Sequence, residues 1–161
     1  MSRFSTSTRS AATVTASPEE VWGALTDPGL VARLTPFLRT VREHGERHWV
    51  WELARVPLLG RSFSFTFTER MTFDEPHRIE FTHDPEARPG ADDETAGVEG
   101  WYRLTRRGDE THLETSMAIT VELPFPGLTR PAVTTAMKGV IGLMGQRFSH
   151  NLLEHLGASA G

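Results

Sequence analysis

The stretch 61-RSFSFTFTERMTF-73 sets Phe63, Phe65 and Phe67 on every second residue, with Ser62, Ser64, Thr66 and Thr68 between them. That alternation is the period of a strand with one apolar face and one wet face, and aromatic and β-branched types suit such a pleated surface. The same odd-numbered series continues through Met71 but also contains Glu69. The segment therefore predicts a strand and asks two things of it: whether its rings close a solid core or line a space, and why a carboxylate shares their face.

Working outward, the turn signal Pro57–Gly60 folds the preceding segment back as a hairpin. With Arg55 opposite Phe63, Trp51 falls across from Phe67 and Trp49 across from Glu69, all on one face. Carrying the parity through the turn at Asp74–Pro76 adds Met71, Ile79, Phe81 and His83. In the last hairpin, a two-residue turn at Gly108-Asp109 sets Val98, Gly100, Tyr102 and Leu104 beside Leu113, Thr115, Met117 and Ile119; a longer turn would bring Trp101 inward instead. Turn clusters near Gly45, Pro57–Gly60, Asp74–Pro76, Asp84–Gly97 and Gly108-Asp109 divide Leu38 to Glu122 into six antiparallel strands. The widest, DPEARPGADDETAG at 84–97, reads as a mobile acidic loop.

Before these strands, Phe4 to Ala16 is rich in Ser, Thr and Val and reads as a first strand. Ser17-Pro18-Glu19-Glu20 then starts a helix: Ser17 is the cap, Pro18 fits the first position and Glu20 completes a capping box. Asp27-Pro28 repeats the signal for a second short helix stopped by Thr35-Pro36. After LPFPG, Val133, Met137, Ile141, Met144, Phe148 and Leu152 recur every three or four residues, the stripe of one long helix. Gly142 and Gly145 fall on or beside that stripe, either for close packing or for room.

The 161 residues suit one domain, 1–161. Cysteine is absent, which removes disulfides, thiolate nucleophiles and cysteine-held metals. A net charge of -4 and scattered arginines argue against nucleic acid. The first residues lack the apolar core of a secretory signal and no run approaches a membrane span, so a cytoplasmic protein without stable membrane insertion is expected. His44 and His48 straddle a turn, no HExxH occurs, and no metal site is expected; neither GxSxG nor a phosphate loop is present.

One strand, two short helices, six strands and a long terminal helix make an α+β layer fold: a seven-stranded curved antiparallel sheet around the terminal helix, with both short helices after strand 1. In that order, and in "SPEEVWGALTDPGLVARLTP", "FTERMTFDEPHRIEF" and "LPFPGLTRP", the chain resembles the helix-grip START-like superfamily (SRPBCC) and its polyketide cyclase/dehydrase and lipid- or quinone-binding branches. The resemblance implies an apolar ligand held between sheet and helix, without a cofactor. Its walls would be Trp49, Trp51, Phe63, Phe65, Phe67, Met71 and Phe81 from the early strands, Met117 from the last, and Met137, Ile141, Met144 and Phe148 from the helix. The methionines at 71, 117, 137 and 144 are flexible gap-fillers that suit a pocket or an ordinary core equally.

Arg55, Glu69 and His83 share the aromatic face, where an unpaired charge is costly. Arg55 would hold a ligand carboxylate or phenolate at the mouth, or end a solvated hairpin. Glu69 and His83, as diagonal neighbours, would form an acid–base couple unless a bulge or strand end frees both to water. Tyr102 would offer its hydroxyl to a ligand carbonyl or serve as wall. His155 falls on the helix stripe near its carboxyl end, where a histidine satisfies carbonyls.

Three functions follow. The first is binding of a small hydrophobic molecule such as a lipid, quinone or polyketide-like aromatic. The second is an aromatase/cyclase or dehydrase using Glu69, His83 and Tyr102. The third is an interaction module, as a homodimer or with another protein, built on Trp101 or the Pro124–Pro126 loop.

Overall fold

Capping chemistry fixes the two short helices. In the computed structural model, which describes residues 1–87 and 94–158, Ser17 Oγ accepts the Glu20 amide at 3.2 Å and starts α1 (Pro18–Leu25). Asp27 Oδ1 accepts the Leu30 amide at 3.1 Å and starts α2 (Pro28–Leu34). They follow β1 (Ser2–Val14). The six further strands are β2 (Leu38–His44), β3 (His48–Leu58), β4 (Arg61–Asp74), β5 (Arg78–His83), β6 (Ala96–Arg107) and β7 (Glu110–Leu123). α3 (Arg130–Leu156) closes the fold and is stopped by Gly157, whose φ of 63° is the left-handed cap glycine adopts freely.

All strands pair antiparallel in one curved sheet of order β1-β7-β6-β5-β4-β3-β2. The register matches the parity read from sequence at Trp51↔Phe67 and Trp49↔Glu69, and at Leu104↔Leu113, Tyr102↔Thr115 and Gly100↔Met117 across a two-residue turn. Trp101 is thus on the outer face, beneath the guanidinium groups of Arg9, Arg78 and Arg103 at 5.4, 4.9 and 5.0 Å from its ring.

Two departures matter. The β3–β4 ladder shifts between Leu53 and Val56, so Val56, not Arg55, lies opposite Phe63. Arg55 takes a φ of 57° in this bulge and its side chain is exposed, which removes it from the inward face where the sequence parity had set it. Second, β5 has 6 residues against 14 in β4. Its pairing with β4 runs only from Glu69↔His83 to Asp74↔Arg78, leaving the Phe63–Phe67 half of β4 without β5 beside it. The expected loop falls partly on 88–93, outside the described residues; Pro85–Ala87 forms a single 3-10 turn, and Ala96 and Gly97 already belong to β6.

The interior falls into two buried clusters at opposite ends of α3. One gathers Trp22, Leu25 and Leu30 with Trp49, Met71, Ile79, Phe81 and Leu152. The other gathers Phe4, Val56, Phe65, Phe67 and Val121 with Val133 and Met137. Trp51, Leu53 and Val98 touch both.

Candidate functional site

The buried residues of α3 lie toward its ends, Val133 and Met137 in one cluster and Leu152 in the other. Its main close backbone approaches run to β1 and β3, on the two flanks of the curved sheet, and to α1 and α2. Asn151 Nδ2 also donates to the Leu34 carbonyl at 2.9 Å, tying the far end of α3 to the last turn of α2. His155, on the expected stripe, is exposed, because the last turn of α3 packs on the core through Leu152, Leu153 and Leu156 instead. Between the ends, Ile141 and Phe148 pack against the clusters from partly buried positions and Met144 is partly buried, while Gly142 and Gly145 are exposed and a Cβ built at either would meet nothing within 4 Å. Those glycines do not serve close packing of helix on sheet.

The inward residues of β7, Leu113, Thr115, Met117 and Ile119, all keep accessible surface, as do Val98 and Tyr102 of β6, although the apolar ones also pack against the clusters. Inward side chains in the middle of a sheet are normally the most buried. Trp49, Phe65, Phe67, Met71, Phe81 and Met137 are buried within the two clusters; Phe63 is partly buried, its ring 5.8 Å from Phe125. Trp51 stacks on Phe67 with ring centroids 6.1 Å apart. Two open grooves lie elsewhere, one lined by Gly29, Arg33 and Val41, the other by His77, Arg78 and Arg106, and neither includes these inward residues.

The polar residues gather where β5 ends. Glu69 and His83 are direct cross-strand partners rather than diagonal ones, and they do not bond as a couple. Glu69 is 1% exposed, and its Oε1 accepts the Val98 amide at 2.9 Å, an amide that lies beyond the last β5–β6 pair, Phe81↔Gly100. His83 Nε2 is instead 2.8 Å from Oε1 of Glu94, whose side chain is itself 1% exposed. Glu94 also accepts the Thr68 amide at 2.9 Å and the Thr68 hydroxyl at 2.8 Å. Gly97 is required beneath the His83 ring, because a Cβ there would run into the imidazole.

Two carboxylates thus take up backbone donors that a longer β5 would have covered. Glu94 escaped the sequence reading because it stood in an acidic loop; its only signal was its place two residues ahead of a strand.

Desolvation raises the Glu69 carboxyl from 4.5 to about 9, outweighing the Val98 bond, with Glu99 and Glu94 adding to the rise. The group is therefore a neutral acid at pH 7, and its Oε2 is buried with no hydrogen-bond partner. Tyr102 packs on Phe81 with ring centroids 5.7 Å apart, and burial pushes its phenol up to about 12. Its hydroxyl has no partner among the described residues. Since Tyr102 pairs with Ile79, it lies two inward positions along the sheet from the Glu69 rung, or ~13 Å at ~3.3 Å per residue. Among the described residues no cluster of side chains able to hold a metal forms, and no helix is long and apolar enough to cross a membrane.

A family model described as polyketide cyclase / dehydrase and lipid transport matches residues 5–156. Among solved structures, a conserved protein from Geobacillus kaustophilus superposes with a TM-score of 0.73 at 16% identity, over 94% of this chain and 95% of the other. The Zhui aromatase/cyclase from Streptomyces sp. R1128 gives 0.69 at 18%, over 95% and 94%. A START superfamily protein from Mycobacterium smegmatis gives 0.65 at 16%, over 94% and 97%. These likenesses establish the helix-grip fold. Comparison with curated proteins finds no match.

Proposed function

Because the chain belongs to the polyketide cyclase / dehydrase and lipid transport family, we propose that it binds a small hydrophobic molecule, a lipid, quinone or polyketide-like aromatic, between the inner face of the sheet and the middle of α3. The observation that carries this reading is the partly open inward row of β6 and β7, Val98, Tyr102, Leu113, Met117 and Ile119, beside a helix whose buried residues, Val133, Met137 and Leu152, lie toward its ends. Apolar burial supplies most of the affinity, and a few polar atoms orient the guest. Glu69 Oε2 and the Tyr102 hydroxyl, which has no partner among the described residues, suit a guest that carries oxygen acceptors. The reading needs no cofactor.

Native mass spectrometry with solvent extraction of the purified chain tests it. A co-purified apolar molecule, or uptake of a fluorescent apolar probe that Met117→Trp blocks, is the expected result. A chain that is empty and takes up no probe ends the proposal.

A second reading, proton chemistry of the aromatase/cyclase or dehydrase type on a folded poly-β-ketone, is favoured by one feature. Glu69 is a buried carboxylic acid kept neutral at pH 7, which can donate to a carbonyl oxygen as it becomes enol-like. His83 would act only through Glu94, and Tyr102 from a separate position on the sheet. Turnover that survives Glu69→Gln, His83→Gln and Tyr102→Phe alike removes this mechanism and leaves binding alone.

A further inference from the structure

The end of the sheet where β3 turns into β4 and β7 leads to α3 exposes apolar side chains that the fold does not use. Leu59, in the turn between β3 and β4, is 46% exposed; Leu128, in the 3-10 turn Gly127–Thr129 ahead of α3, is 96% exposed. The two tips are neighbours. Phe63 and Phe125, at their bases, meet edge to face at 5.8 Å, and the Arg61 guanidinium lies over both rings at 5.3 and 5.7 Å.

Leu59 is also conformationally anomalous. Its φ of 51° and that of Gly60, 77°, form a tight turn of two left-handed residues, where Asn or Gly sits at ease and a leucine is strained. The side chain neither packs nor eases the turn. Strain retained without a folding benefit points to a use outside the fold. Arg55, at φ 57° in the bulge of the same hairpin, is likewise strained and exposed.

The charge around the tips is opposite to that of the chain. Net charge is -4 overall, yet the two segments that carry the leucines hold the exposed Arg55, Arg61 and Arg130, and Glu122, at the end of β7, is already engaged by Arg3 at 3.5 Å. Arg130 is braced over the Phe4 ring at 4.9 Å and donates to the Arg3 carbonyl at 2.7 Å. Apolar tips on segments that also carry guanidiniums match a surface that presents lipid phosphates above acyl chains.

We propose that this end of the molecule docks reversibly on an anionic lipid bilayer, with Leu59 and Leu128 entering the headgroup layer and Arg55, Arg61 and Arg130 meeting lipid phosphates. Two leucines give peripheral contact, not insertion. The proposal is independent of what occupies the space beneath α3.

Co-sedimentation of the full chain with vesicles of equal parts phosphatidylglycerol and phosphatidylcholine, and with phosphatidylcholine alone, tests it at low and high salt. Partition onto the anionic vesicles at low salt, its loss at high salt, and weak partition onto the neutral vesicles are expected. The double variant Leu59→Asn, Leu128→Ser should lose about tenfold in partition while remaining at least as stable, since Asn relaxes the left-handed turn. Arg55→Gln should cost several-fold and flatten the salt dependence. Absence of partition at low salt, or an unaltered double variant, overturns the proposal. So does self-association without lipid that the double variant abolishes, which would make this end an interface between copies.

Discussion

The two halves of β4 continue one alternation and do different things. In the half nearest the β3–β4 turn, Phe65 and Phe67 are 9% and 7% exposed and join Val133 and Met137 in a dry cluster. In the other half the same parity delivers Glu69, Met71 and Phe73, of which Glu69 is 1% and Phe73 42% exposed. The change falls at the residue where β5 begins to pair. Parity decides which way a side chain points, but the length of the neighbouring strand decides what it is needed for. Glu69 faces the interior because it is odd-numbered, and it is tolerated there because the Val98 amide has no strand beside it.

The largest effect that would break this comparison is expected in the aromatic half. Phe67→Ala removes a ring stacked on Trp51 and should cost about 3–5 kcal/mol, read as a shift in the denaturant midpoint at unchanged slope. A cost below ~1 kcal/mol would mean that this half of β4 also borders open space and that the two halves are alike.

At Glu69 the comparison is sharpened by pH. The folded pKa, about 9, lies above the unfolded value of 4.5, so the folded state holds a proton the unfolded chain has lost throughout that window. The stability the protonated acid contributes is therefore full below pH 4.5 and is lost as pH rises toward 9, with a slope approaching ~1.4 kcal/mol per pH unit. Glu69→Gln keeps an acceptor for Val98 and cannot ionise, so its stability should exceed that of the parent by a margin that widens with pH. Parallel stability curves for the two proteins between about pH 5 and 9 would show Glu69 ionised in the fold, or ionised and compensated, and would weaken the cyclase reading with it.

These contrasts also mark what the sequence made legible. Cap residues Ser17 and Asp27, the turn at Gly108-Asp109 and the 3.6-residue stripe of α3 act through local geometry, and the element order and most of the register follow from them. Two features escaped because they depend on a neighbour's length or slip. A bulge between Leu53 and Val56 leaves no mark in an alternating pattern, and it turned Arg55 outward. The early end of β5 could not be seen without knowing where β6 begins to pair, so Glu94 passed for loop and His83 was matched to the wrong carboxylate.

The smallest expected effect lies in α3, where buried ends and exposed middle glycines can be compared directly. Ala at Gly142 or at Gly145 should each stabilise the helix by roughly 0.8–1 kcal/mol, since no atom stands within 4 Å of the added Cβ and the backbone is ordinary helix. Val133→Ala and Leu152→Ala, 0% and 3% exposed toward the two ends, should do the reverse and cost more. If either glycine variant instead lowers the melting temperature, the face of α3 that is exposed at 142 and 145 is covered in solution, and the added Cβ meets whatever covers it.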